Sequence, residues 1–102
     1  MDNIISKLNK VFDHRIRLGI MSILILNESL SFNILKETLD VTDGNLASHL
    51  KTLEKEKFID VKKQFIGRKP NTTYVVTDLG KQAFNKHLNA LEAIIKMRRK
   101  ED

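Results

Sequence analysis

The 102-residue sequence contains no cysteine, no tryptophan, one proline, one tyrosine and four glycines. Without cysteine there are no disulfides, no thiolate metal sites and no cysteine nucleophile, and the chain suits a reducing compartment, the cytoplasm. Scarce proline and glycine argue against long flexible linkers. Asp2, Lys7 and Lys10 break up the apolar residues at the N-terminus. No later apolar run approaches the roughly 20 residues of a membrane span, so neither secretion nor membrane insertion is expected. No Ser/His/Asp order, catalytic carboxylate pair or phosphate-binding glycine loop stands out, so neither enzymatic activity nor a cofactor is expected. His14, His49 and His87 lie far apart without paired ligand spacing. Each is read as a polar residue at a helix boundary rather than a metal ligand, with His49 read as an anchor of its helix or a phosphate contact.

What is present is an ordinary globular composition, 41% hydrophobic and 30% charged, in a chain long enough for one core. A single domain spanning residues 1–102 follows. The net charge is +5, and it is gathered late. Up to Phe58 eight basic residues meet eight acidic ones, whereas from Ile59 onward ten basic residues meet five. A basic half points toward a polyanion, of which nucleic acid is the commonest.

Helical spacing of Ile4, Ile5, Leu8, Val11 and Phe12 predicts a short amphipathic helix over residues 1–12. Asp13 caps a second helix running to about Asn27, in which Ile16, Ile20, Ile23 and Leu24 form a broad face and Leu18, Met21, Ile25 and Leu26 complete an apolar circumference. This is the central buried helix. Ser31 caps a third, Phe32 to Leu39, and Thr42 a fourth, about residues 43–56, with a narrow stripe of Leu46, Leu50 and Leu53. After Phe58 the period changes to two. Ile59, Val61 and Phe65 alternate with Asp60, Lys62 and Gln64, then Gly67 to Asn71 turn the chain and Thr72 to Thr77 return it. The hairpin, residues 59–77, has a basic tip held by Gly67 and Pro70. Thr77 or Asp78 opens a final helix, residues 78–99, whose Phe84, Leu88, Leu91 and Ile95 form a seam too long for a small globule to cover. The fold class is therefore mainly α with a small β-hairpin: a winged helix-turn-helix with an added long C-terminal helix.

A helix of roughly 10 to 12 Å diameter fits the ~12 Å major groove, and a hairpin beside it grips the flanking backbone or minor groove. With the leucines inward, Gly44, Asn45, Ser48, Lys51, Thr52 and Lys55 face outward. Asn45 suits adenine, Ser48 and Thr52 donate or accept, and Lys51 and Lys55 suit phosphates. Gly44 permits close backbone approach, and Thr42 lies at the helix N-terminus, which attracts anions. In the wing, residues 66–72, Arg68, Lys69 and Asn71 lie at the tip, and Lys62 and Lys63 extend the positive surface. Double-stranded DNA is the expected partner. Two uncovered stripes at opposite ends, Ile4, Ile5 and Leu8 with Phe84, Leu88, Leu91 and Ile95, are most simply joined as a homodimer interface. Two recognition helices about one DNA turn apart then read a two-fold symmetric operator.

The run Gly44-Asn45-Leu46-Ala47-Ser48-His49-Leu50-Lys51-Thr52-Leu53-Glu54, then Arg68-Lys69-Pro70-Asn71-Thr72-Thr73-Tyr74, then Thr77-Asp78-Leu79-Gly80, resembles winged-helix regulators of the MarR and ArsR type. The likeness is greatest to the short single-domain group with wing motif R-x-P-x-T-x-Y followed by L-T-x-x-G. Arg15-Ile16-Arg17-Leu18 adds to it, and the matches span about residues 13 to 84. The resemblance implies a homodimeric transcriptional regulator whose fourth helix enters the major groove and whose terminal helices form the interface. It carries over no metal site, because ArsR-type sensing needs cysteine or clustered ligands. Two positions depart from the pattern. Val76 replaces Leu, and Lys57 replaces a Gly before the first strand, so a different helix end, strained or frayed, is expected.

The rival reading is a winged helix that binds protein, as partner or antagonist of another regulator; it has no need of Arg68 and Lys69 beside Lys51 and Lys55. RNA binding ranks third, since the tyrosine and most phenylalanines fit core positions and leave no stacking platform. The residues name no operator and neither identify nor exclude a small-molecule effector.

Overall fold

The computed structural model describes residues 5–101, with side chains through Arg98. A 3-10 turn, Lys10–Phe12, leads into α1 (Arg15–Leu24), β1 (Leu30–Ser31), α2 (Phe32–Leu39), α3 (Asp43–Lys55), β2 (Ile59–Ile66), β3 (Lys69–Val76) and α4 (Asp78–Glu101). The strands form an antiparallel sheet in the order β1-β3-β2. This is the α+β winged helix-turn-helix expected from the pattern.

Among the described residues the predicted first helix is a turn followed by the 3-10 segment. The Asn9 side chain accepts the N–H of Val11 at 2.9 Å, a local bond that competes with helix formation. Ile5 is exposed and Leu8 half-buried, while Ile4 lies outside the described residues. Phe12 is committed to the core, stacked on Phe58 at 5.5 Å and edge-on to Phe84 at 5.2 Å.

The N-cap of α1 is His14, not Asp13: its Nδ1 accepts the N–H of Ile16 at 3.2 Å, while the Asp13 N–H closes the preceding turn on Lys10. The helix stops at Leu24, earlier than expected. Its end tightens, Leu26 N–H reaching the Ile23 carbonyl and Asn27 Nδ2 donating to that same oxygen at 2.7 Å. Leu26 is thereby turned out to solvent rather than buried. The remaining face, Ile16, Ile20, Met21 and Leu24, meets Leu35 of α2, Leu46, Leu50 and Leu53 of α3, and Phe58, Ile59, Tyr74 and Phe84.

The end of α3 has the form that a glycine would take. The Phe58 N–H bonds the Leu53 carbonyl at 3.0 Å and the Lys57 N–H that of Glu54 at 2.9 Å, a Schellman motif with Leu53 and Phe58 both buried. Lys57 sits at φ 64, left-handed backbone that costs a side-chain-bearing residue about 1 kcal/mol. The expected strain is present, but the turn is fully bonded. Lys57→Gly is expected to raise the unfolding free energy by roughly 0.5–1 kcal/mol, read as a higher urea midpoint. An unchanged or lower midpoint would show that the lysine makes compensating interactions.

The hairpin's strands are longer and its loop shorter than expected. Ile66 pairs with Lys69, leaving Gly67 and Arg68 as a two-residue turn with φ 65 at Gly67, the pattern of a type II′ hairpin. Pro70 therefore lies in β3, opposite Phe65, where β3 has only β2 as neighbour and a proline is tolerated. The two-residue β1, pairing Leu30 with Tyr74 and Ser31 with Thr73, is too short for any periodicity to announce.

Thr77 joins wing to last helix. Its hydroxyl donates to the Lys57 carbonyl at 2.7 Å and accepts the Gly80 N–H at 2.9 Å, capping α4. Among the described side chains of α4 the buried ones are Phe84, His87 and Ala90, a line that shares Phe84 with the expected seam and then departs from it. Phe84, 2% exposed, belongs to the intramolecular core and is not available to a partner. Leu88 and Ile95 remain 41% and 52% exposed, with Leu91 half-buried between them. His87, expected at a helix boundary, is instead buried within α4: its Nδ1 accepts the Asn9 N–H at 3.0 Å and its ring meets the face or edge of Phe12. Twenty-four residues make α4 about 36 Å long. The molecule measures 59 × 25 × 21 Å, and its radius of gyration, 15.8 Å, exceeds the ~13 Å of a compact chain this size.

Candidate nucleic-acid interface

The candidate surface starts from the way α3 is held. Thr42 caps it, its hydroxyl accepting the Asn45 N–H at 3.2 Å, and Lys36 of α2 pairs with Asp43 at 2.8 Å. The inward leucines then leave Gly44, Asn45, Ser48, Lys51 and Lys55 exposed, as the spacing required. The side chains of Asn45, Ser48, Lys51 and Lys55 make no hydrogen bond or ion pair among the described residues. Thr52 is half-buried, and its hydroxyl donates back to the Ser48 carbonyl at 3.2 Å, so it offers an approaching group only lone pairs.

His49 occupies the flank of this face, where α1 begins. Arg17 Nη1 lies 3.0 Å from His49 Nδ1; a guanidinium only donates, so Nδ1 accepts and the imidazole proton sits on Nε2. Arg17 Nε also donates to the Val11 carbonyl at 2.6 Å, fastening the segment before α1 to α3 through one side chain. The His14 ring packs over His49 with centroids 4.0 Å apart. Of the two roles expected for His49, the anchor is the one these contacts describe. Burial holds its pKa below the ordinary histidine value, and the nearby His14 and Arg17 charges lower it further.

A lowered pKa in the folded state has a definite consequence for stability. Above about pH 6.5 neither folded nor unfolded His49 holds the proton, and nothing is lost. As the pH falls below that, the unfolded chain takes up the proton first, and stability declines until the folded imidazole titrates too. Urea midpoints followed from pH 7.5 to 5 are expected to fall more steeply for the parent than for His49→Gln. Parallel profiles would mean that burial, with the His14 and Arg17 contacts, does not oppose protonation of His49.

The wing carries the second group of cations. Strand alternation and register put Lys62, Lys69 and Asn71 on one face of the hairpin, and Lys63, Phe65, Pro70 and Thr72 on the other, with Arg68 in the turn. Lys62, Arg68 and Lys69 are exposed and Asn71 half-buried. From Val61 to Thr77 there are four basic residues and no acidic one. Among the described residues no three His, Asp or Glu side chains converge as a metal site would require, and no helix is long and apolar enough to cross a membrane.

The family model of a winged helix DNA-binding domain matches residues 16–95. The chain belongs to this winged-helix family. It is 39% identical over 79 residues to the uncharacterised protein MJ0432 of Methanocaldococcus jannaschii, a match covering 78% of this chain and 86% of that one. Among solved structures, a transcriptional regulator homologue from Pyrococcus horikoshii is 31% identical with a TM-score of 0.81, covering 91% of this chain and 90% of its own. A protein described as a MarR-family transcriptional regulator, from Enterococcus faecalis, shares the fold at 19% identity, with a TM-score of 0.74 and coverage of 96% and 84%. The winged-helix resemblance carried by the α3, wing and Thr77–Gly80 motifs agrees with the matched winged helix DNA-binding family, and the MarR-family protein shares its fold.

Two features of this winged helix escaped the sequence pattern. The first is the meeting of His14 and Arg17 with His49, visible beforehand only as the Arg15-Ile16-Arg17 motif. The second is the exposure of Phe65. Its signal was Lys63, which occupies an inward register position between Val61 and Phe65 and so marks where the core ends.

Proposed function

We propose that the protein is a homodimeric, sequence-specific regulator of transcription that places α3 in the major groove of duplex DNA and the wing on the flanking backbone or minor groove. The observation that carries this reading is the unpaired polar face of α3, Asn45, Ser48, Lys51 and Lys55, in a chain that also bears a basic hairpin without an acidic residue from Val61 to Thr77. Polar groups left without intramolecular partners on one helix face cost nothing in water and are ready to be paired by base edges and phosphates. Gly44 and Thr42 at the start of α3 suit close backbone approach to a phosphate, and Lys62, Lys69, Asn71 and Arg68 give the wing its contacts. Dimerisation through the exposed flank of α4, Leu88, Leu91 and Ile95, joined by Ile5 and Leu8, is supported by the uncovered length of that helix. One domain spanning residues 1–102 performs both tasks.

The test is selection of the purified protein on random duplex DNA at two salt concentrations, followed by sequencing of the retained pool. Enrichment of a two-fold symmetric site, with affinity falling steeply as salt rises, is the expected result. On that site Lys51→Ala and Arg68→Ala should each weaken binding and reduce the slope of log affinity against log salt by about 1. No retention at low salt would move the assignment to a protein-binding winged helix.

A further inference from the structure

Phe65 and Ile66, at the end of β2, are 74% and 65% exposed, beside a two-residue turn. Among the described residues nothing covers them. Phe65 shares a face with Ile59, Val61 and Tyr74, but that face leaves the core at Lys63, and its cross-strand neighbour is Pro70. Ile66 projects from the opposite face, opposite Lys69. The tip is thus apolar on both faces, and it is bracketed by Lys62 and Lys63 on one side and Arg68 and Lys69 on the other. An exposed aromatic on a hairpin invites aggregation unless something covers it.

The surroundings define that occupant. A surface apolar at its centre and cationic at its margins fits a furrow apolar at its floor and anionic along its walls. The minor groove of duplex DNA has this form, with deoxyribose rings between two lines of phosphate. A second copy of this chain is a poor fit at this patch, because it would bring the same four cations against themselves.

We propose that Phe65, assisted by Ile66, is an apolar wedge that the wing drives into the minor groove, packing on sugar rings and a partly unstacked base step, so that the protein bends its site. The proposal rests on the DNA-binding reading and extends it. Specificity follows at a position with no hydrogen-bonded base, because only deformable steps such as TA and CA open cheaply. The turn supports this role: Gly67 makes it tight, and Arg68 meets the phosphates or groove edge that the wedge displaces.

The experiment uses the full chain and a duplex of about 30 base pairs carrying the selected site, with donor and acceptor dyes at its ends. Phe65→Ala is expected to fold as the parent does, since the side chain contributes nothing to the core. It should bind roughly tenfold to a hundredfold more weakly and leave the ends farther apart. Its salt slope should match the parent, because an apolar contact releases no counterions, whereas Arg68→Ala lowers the slope. Phe65→Leu should restore most of the bend. Parent-like affinity and end-to-end distance in Phe65→Ala would overturn the wedge while leaving the DNA-binding reading intact. Weaker binding of Phe65→Ala accompanied by loss of the dimer in sedimentation, or Phe65-dependent capture of the parent by phosphatidylglycerol vesicles, would overturn it in favour of another occupant. A parent that retains no duplex overturns both readings.

Discussion

Gly80→Ala is expected to destabilise the protein by on the order of 3 kcal/mol, enough to take away much of the stability of a domain this size. A Cβ at position 80 would stand 2.1 Å from the Phe58 carbonyl oxygen, 2.9 Å from its carbon and 3.0 Å from its Cα. All three are backbone atoms, so no rotamer change relieves the clash. That carbonyl accepts the Thr77 N–H at 3.0 Å, and the Phe58 N–H ends α3, so any retreat disturbs the α3 terminus, the base of the wing and the cap of α4 together. The measurement is the urea midpoint at unchanged m-value, with Gly44→Ala as control. Gly44 lies in α3 with nothing within 4 Å of its added Cβ, so that change should be neutral or stabilising by up to about 1 kcal/mol. Equal midpoints for Gly80→Ala and the parent would mean that α4 can move away from Phe58 without cost.

If the proposed dimer forms through α4, Leu91→Asp is expected to convert it to monomers and to lower affinity for a symmetric operator by roughly a hundredfold or more, since the second half-site is no longer bound intramolecularly. A charge in an interface flanked by Leu88 and Ile95 would be buried without a partner. The monomer should also show about half the salt slope of the dimer, having half the phosphate contacts. Sedimentation equilibrium reads the first effect and titration of the selected duplex the second. Because Leu91 is half-buried within the protomer, Ile95→Asp provides a more exposed second probe with no role in the core. Two variants that both remain dimeric would place the interface away from this flank of α4.

How much of this could be read in advance differs from element to element. The α2 and α3 boundaries follow from Ser31 and Thr42, whose side-chain bonds are local and act within three residues. The outward face of α3 follows from the spacing of three leucines. The first helix failed for a local reason as well, since Asn9 offered the backbone a competing bond. The burial of His87 was not a local matter: it depends on which segment packs alongside, and nothing in the helical spacing favours His87 over Leu88 until Phe12 and Asn9 come against α4. The inward line of α4 therefore ran through Phe84, His87 and Ala90 instead of the more hydrophobic seam.

The amino-acid order alone carried the capped helices, the leucine stripe, the change of period at Phe58 and the charge asymmetry, because each arises from neighbours within one or two turns of chain. Packing between distant segments assigned the rest. It turned Phe84 inward and left Leu88 and Ile95 outside, brought His14 and Arg17 to His49, and pressed Gly80 onto Phe58. It also carried β2 beyond the edge of the core, so that Phe65, inward by alternation, had nothing left to cover it. Periodicity sets which side of an element a residue occupies, but burial depends on how far the neighbouring elements extend, which is a property of the assembled fold.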